Sequence, residues 1–139
     1  MNRTIKFRGK SIYDEDWLYG SLVKIEKDRY AIIPPLNDIE IGKSIGMYEV
    51  YPETVGQFTG LLDKDGKEIY EGDILHTVTF GFEPEEYTAI ILYDNCRFQL
   101  SNGRNLFYFG QSDLTRMDDT IMIGNIHDNP ELINMKKSN

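Results

Sequence analysis

The chain is poor in the residues that most often carry chemistry. Its 139 residues include one cysteine, Cys96, and two histidines, His76 and His127. A single thiol excludes an internal disulfide framework and fits a reducing cytoplasm. Two histidines at unrelated positions, with no CxxC or HxxxH spacing, do not compose a zinc site. His76 falls mid-strand on an apolar face, and His127 just precedes a helix start, so both are read as structural. Cys96 has no histidine near it in sequence and is read as a turn residue rather than a nucleophile. There is no GxSxG elbow. Gly42-Lys43-Ser44 imitates the end of a phosphate loop, but Asn37 stands where that loop needs its first glycine. Long apolar runs are missing too: nothing approaches the roughly 20 residues of a membrane helix. The opening MNRTIKFRGK lacks the apolar core of a secretory signal. A cytoplasmic protein with no membrane partner is the expectation.

Bases are also scarce. There are 15 against 23 acids, for a net charge of −8. Arg3, Lys6, Arg8 and Lys10 all lie in the first ten residues with no acid among them, so the remaining 129 residues carry a balance of −12. An acidic body repels phosphate backbones, which disfavours a nucleic-acid partner. The basic start can still touch DNA locally. The simpler reading places Lys6 and Arg8 on the solvent side of a strand whose other side holds Ile5 and Phe7.

What is present suits a packed β protein. Hydrophobic residues make up 40% of the chain and 17 residues are aromatic, which argues against disorder. The length fits one domain, 1–139, divisible into an N-terminal β lobe 1–50 and a part 51–135. Strands are expected at 5–8, 17–25, 30–33, 47–51, 87–93, 97–100, 106–109 and 121–126. In the second of these, Trp17, Tyr19, Val23 and Ile25 share one face. Pro34-Pro35 ends the third. Leu36 to Gly46 has no clean period and reads as a loop suited to a partner contact or an inter-lobe connection. The acidic run Glu83-Pro84-Glu85-Glu86 reads as a solvated tip. A helical turn is expected at 112–117, and a helix start at Asn129-Pro130-Glu131, with Asn129 capping.

The most strongly determined stretch is PETVGQFTGLLDKDGKEIYEGDIL, Pro52 to Leu75. It reads as strand, tight turn, strand, corner, strand. Asp65 is placed to start a side-chain turn, and Gly66 to take a positive φ. From Ile74 the next strand alternates, with Ile74, His76, Val78 and Phe80 against Leu75, Thr77 and Thr79. Asp63, Asp65 and Gly66 imitate a calcium loop, but counting from Asp63 the sixth position is Glu68 and the twelfth is Ile74, where glycine and glutamate are required. Glu68, Glu71 and Asp73 could cluster at the corner, which leaves a metal-binding or hydrolytic role for the Asp63–Asp73 carboxylates open. The aromatics Phe58, Tyr70, Phe98, Phe107 and Tyr108 are read as core. Exposed together, they would offer a partner surface or a stacking platform for single strands.

That central stretch resembles the signature of the YopX family of phage and prophage proteins. IGNIHDNPELI, Ile123 to Ile133, is similar to the family's C-terminal motif, and IKFRGKS with WLYGSLV, between Ile5 and Val23, to its N-terminal opening. The resemblance implies a small, mainly β protein with an SH3-like barrel part that tends to self-assemble in a bacterial host. It brings no catalytic residues, because no biochemical role is established for the family.

The expected fold is therefore mainly β: an SH3-like small barrel built by the central hairpin and the strands after it, with an additional hairpin lobe and short helices. No catalytic, cofactor-binding or metal residue is assigned, and no cofactor is expected. The expected role is a non-catalytic interaction or self-assembly module, acting as a homo-oligomer or on a phage or host protein. The rivals are a nucleic-acid-associated protein and the carboxylate metal or hydrolytic reading.

Overall fold

The structure is a computed structural model that describes residues 4–35, 46–78, 86–94, 96–101, 106–108 and 119–133, with 106–108 described by backbone alone. It divides into two compact units, Met1–Phe58 and Thr59–Asn139. Each is built from antiparallel strands, and no helix among the described residues is long and apolar enough to cross a membrane.

The first unit holds β1 (Phe7–Lys10), β2 (Trp17–Glu26), β3 (Arg29–Ile33), β4 (Tyr48–Val50) and the start of β5 (Gly56–Leu62). Their order is β4-β3-β2-β1-β5. A two-residue turn, Lys27-Asp28, joins β2 to β3. Asp28 takes a left-handed backbone (φ 62°) there, which aspartate tolerates better than most residues. Pro34 and Pro35 follow β3 directly, as their missing N–H groups require. Pro52 opens a 3-10 turn, Pro52–Thr54. The Thr54 hydroxyl donates to the Tyr51 carbonyl and accepts the Lys10 amide at 2.9 Å, tying this turn to the end of β1.

The sheet of this unit curls. Ser11 bridges Val50, Tyr51 N–H donates to the Lys10 carbonyl, and Ile12 N–H donates to the Glu49 carbonyl. So β4 pairs with β3 on one side and returns to the end of β1 on the other. Glycine makes the curl sterically feasible. A Cβ on Gly9 would lie 2.9 Å from Val50, and one on Gly20 would lie 2.0 Å from the Ile33 carbonyl oxygen. Ala31, Ile32 and Val50 are fully buried within this unit.

The second unit begins with the rest of β5 paired to β6 (Glu68–Tyr70) across the turn 63–67. After the Glu71-Gly72 corner, where Gly72 has φ 92°, come β7 (Asp73–Val78), β8 (Glu86–Asp94), β9 (Arg97–Ser101), β10 (Leu106–Tyr108) and β11 (Ile121–Asn125). They form a five-stranded sheet of order β10-β9-β8-β7-β11. Period two sorts β8: Tyr87, Ala89 and Ile91 join Ile69, Leu75 and Leu100 in the core, with Phe98 and Met122 packed against it. Each fully buried aliphatic side chain there contributes roughly 1.5–3 kcal/mol.

Mainly β architecture is thus found. The barrel closure expected of the central hairpin and the strands after it is not, among the described residues: β10 and β11 are the outer strands of their sheet. The structure decides the sidedness of β2, which the sequence leaves open, and corrects the side-chain cap expected of Asn129. The face of β2 carrying Trp17, Tyr19 and Val23 is the more open one, and Ile25 falls at the register shift between Lys24 and Glu26. Gly20 is buried and Leu18 and Leu22 are half-buried on the other, where Leu22 opposes the fully buried Ile32. Leucines on the even positions make β2 apolar on both sides, so alternation alone does not choose the core side. At the C-terminal helix start, 131–133, the Asn129 side chain turns back to accept the Asn125 amide. Only the Asn129 carbonyl serves the helix, through Leu132. The loop segment 36–45, residues 79–85 with most of the acidic tip, and the helical turn expected at 112–117 lie outside the described residues.

Candidate interaction surface

β1 places its even-numbered residues on one side, and the register puts Arg8 opposite Tyr19 and Lys10 opposite Trp17. Directly opposed residues in an antiparallel pair share a face. Cations of β1 and aromatics of β2 therefore interleave. The Arg8 guanidinium lies 4.5 Å from the Trp17 ring centre, and the Lys10 ammonium lies 5.6 Å from it. Lys6 sits 5.4 Å from the ring of Phe58 in β5. Stacking on an indole suits the planar, weakly hydrated guanidinium, and Arg8 is only 4% exposed. The expectation of a solvent-facing Arg8 opposite a buried Ile5 is corrected: Ile5 is 46% exposed.

Down the same face of β2, Tyr19 is exposed and Trp17 and Val23 are half-buried, while the exposed Ile25 is the extra residue at the register shift between Lys24 and Glu26. Met47 and Tyr48, at the start of β4, are exposed as well. Nearby, Arg29 makes a two-pronged contact with Glu49 (Nε to Oε2 3.1 Å, Nη2 to Oε1 2.8 Å) and reaches Glu26 at 2.8 Å. These bonds hold the Arg29 proton more tightly and lower the Glu49 pKa, although all three groups face solvent.

The carboxylates singled out in the sequence are brought into the second unit for other work. Asp63 is 5% exposed, and both its oxygens are used. Oδ1 accepts the amides of Asp65 and Lys67, each at 2.9 Å, and Oδ2 accepts the amide of Met122 at 3.0 Å. Burial pushes its pKa up, but the three amide donors and the charge of Lys67 outweigh burial and hold it below the ordinary value. Asp63, not Asp65, thus nucleates the turn, and Gly66 takes φ 84° there. Asp73 is fully buried and accepts the Tyr70 amide at 2.7 Å, while Glu68 accepts the Tyr70 hydroxyl at 3.0 Å. No group of three or more His, Cys, Asp or Glu side chains able to hold a metal ion occurs among the described residues.

His76 is half-buried on β7, with Nδ1 3.4 Å from the Thr88 hydroxyl and Nε2 3.8 Å from Glu86. His127 lies in the turn after β11, its amide bonded to the Asn125 side chain. Cys96 is exposed at the β8–β9 turn, with a left-handed backbone (φ 63°). Of the five aromatics named from the sequence, Phe58 and Tyr70 are buried and Phe98 packs against the core. The side chains of Phe107 and Tyr108 lie outside the described residues. Among the described residues the exposed aromatics are others: Tyr13, Tyr19, Tyr48 and Tyr93. Sequence reasoning missed the Arg8–Trp17 stack, although a basic residue alternating beside an aromatic strand was its signal.

These features define a class: a two-unit, antiparallel β protein whose central acids serve turns and whose open strand face is aromatic and basic. The comparisons agree with the architecture. The sequence pattern of the YopX protein family matches residues 6–134, and the chain belongs to that family. Among solved structures, it is similar to protein EF1440 from Enterococcus faecalis, at 28% identity and a TM-score of 0.63, over 95% of this chain and 99% of that one. A comparison with curated proteins finds no match.

Proposed function

We propose that the protein is a non-catalytic interaction or self-assembly module of phage or prophage type, acting in the cytoplasm of a bacterial host. Its partners are a second copy or a phage or host protein. The observation carrying this reading is the row Trp17, Tyr19 and Val23 on the less covered side of β2, with the exposed Ile25 at the bulge beyond them. The engagement of Asp63 in backbone bonds supports it, since a carboxylate whose oxygens are both occupied is a poor general base or metal ligand. An SH3-like arrangement of the strands remains part of this reading.

Sedimentation velocity over a wide concentration range tests it, with Tyr19→Glu/Ile25→Lys as the comparison. Both positions are exposed, so the fold is expected to survive. The expected result is concentration-dependent assembly, or co-purification of a defined protein, that the double variant loses. A wild-type protein that stays monomeric and captures nothing from phage-bearing cells would sink the proposal. A second reading, single-stranded nucleic-acid binding, is favoured by the interleaving of Lys6, Arg8 and Lys10 with Trp17 and Tyr19. Titration with single-stranded DNA at low and high salt decides it: no binding at low salt removes it.

A further inference from the structure

The cations at the start of the chain form a short row with a defined end. Lys6, Arg8 and Lys10 alternate along an extended backbone, so about 13 Å separates the first from the last. Past Lys10 the chain turns through Asp14, Glu15 and Asp16, all three exposed, before Trp17 begins β2. The three cations are not equally placed. Arg8 is buried with its guanidinium 4.5 Å from the Trp17 ring centre. Lys6 and Lys10 are half-buried, their ammonium groups over the rings of Phe58 and Trp17. Opposite Arg8 in the ladder stands Tyr19, 41% exposed. The accessible group at the middle of the row is thus an aromatic ring, with a lysine at each end.

A complementary ligand carries negative charge at two ends and an apolar group between, all on one side of an extended chain. In an extended peptide alternate side chains share a side and recur about every 6–7 Å. Acids at positions j and j+4 then match Lys6 and Lys10, and an apolar residue at j+2 lies over Tyr19. A nucleic-acid strand fits less well. Its phosphates continue past Lys10 towards Asp14, Glu15 and Asp16, and the Arg8 guanidinium already lies over the Trp17 ring on which a base would stack. We propose that this strip binds a short extended segment of a partner protein with the pattern acid-x-apolar-x-acid, its two carboxylates at Lys6 and Lys10 and its apolar side chain on Tyr19. The strip lies on the face that the docking reading uses, so the proposal rests on that reading and adds the chemistry of the partner.

Trp17 is the only tryptophan in the chain, so its fluorescence reports on the strip. The full chain is titrated with a blocked peptide carrying Asp, Leu and Asp at alternate positions among serines, with the same residues reordered so that the acids are adjacent, and with single-stranded oligodeoxythymidine. The expected result is a saturable change with the alternating peptide that weakens as salt is raised, and weaker binding of the reordered one. Lys6→Glu/Lys10→Glu should weaken the alternating peptide about tenfold or more. Lys24→Glu/Lys27→Glu, the same change of net charge at exposed positions in and just after β2, should leave it unaltered. Lys6→Gln/Lys10→Gln takes the place of the charge reversal if that variant fails to fold. No response to the alternating peptide, equal binding of the reordered one, equal weakening by both lysine pairs, or tighter binding of the oligonucleotide would overturn the proposal. Any of these beside concentration-dependent assembly or capture would remove the acidic partner alone and leave the docking reading standing.

Discussion

At the scale of single residues, two side chains decide more than their neighbours. The folded pKa of Asp63 lies below its unfolded one, so its contribution to stability is present above the ordinary carboxylate value near 4 and is lost as the pH falls through the lower folded value. Denaturant unfolding between pH 6 and pH 2 should show a loss of about 1–3 kcal/mol at the acid end that Asp63→Asn largely lacks. Gly20→Ala should destabilise by about 2 kcal/mol or more, because its Cβ would lie 2.0 Å from the Ile33 carbonyl oxygen and backbone cannot swing aside. A denaturation midpoint within error of wild type would contradict that geometry. Much of this scale was hidden in the sequence. Asp63 and Asp65 both read as turn formers on paper; Asp63 bonds the amides of its own turn through Oδ1, and the approach of β11 adds the Met122 bond that no local pattern announces. Arg8 is a surface cation by type, yet it is buried with its guanidinium over Trp17, a diagonal neighbour in the ladder.

At the scale of elements, alternation located most strands to within two residues, from Trp17–Glu26 to Ile121–Asn125. Prolines and glycines placed their ends, as at Pro34, Gly66 and Gly72. Sidedness was less legible, since β2 and β7 are apolar on both faces. In β7 the residues Ile74, Leu75 and Thr77 are all fully buried. Thr77 is instructive, because a polar residue in that position needs a partner. Its hydroxyl meets that of Thr120 at 2.6 Å, 43 residues away. Thr77→Val alone should cost about 0.5–1.5 kcal/mol by removing that buried bond. The double change with Thr120→Val should cost less than the two single losses added together, and strict additivity in a double-mutant cycle would refute the coupling.

At the scale of the whole molecule, charge balance and composition were legible at once, and topology was not. Pairing across long separations, such as Ser11 with Val50, leaves no local trace in a sequence. The acid excess has a practical outcome: with an isoelectric point near 4.7, solubility should pass through its minimum there, above the range where Asp63 protonates. Turbidity on acidification should therefore precede loss of near-UV circular dichroism, and the reverse order would show that repulsion is not what keeps the chain dispersed. The left-handed corners at Glu15, Asp28 and Cys96 bear on heat tolerance. Each holds a side chain where glycine would sit at ease, and each exchange for glycine should recover about 0.5 kcal/mol once the looser unfolded chain is counted. Three such exchanges together should raise Tm by about 3–6 °C. A rise of that size in a melting curve would place unused heat tolerance in the bends of the backbone.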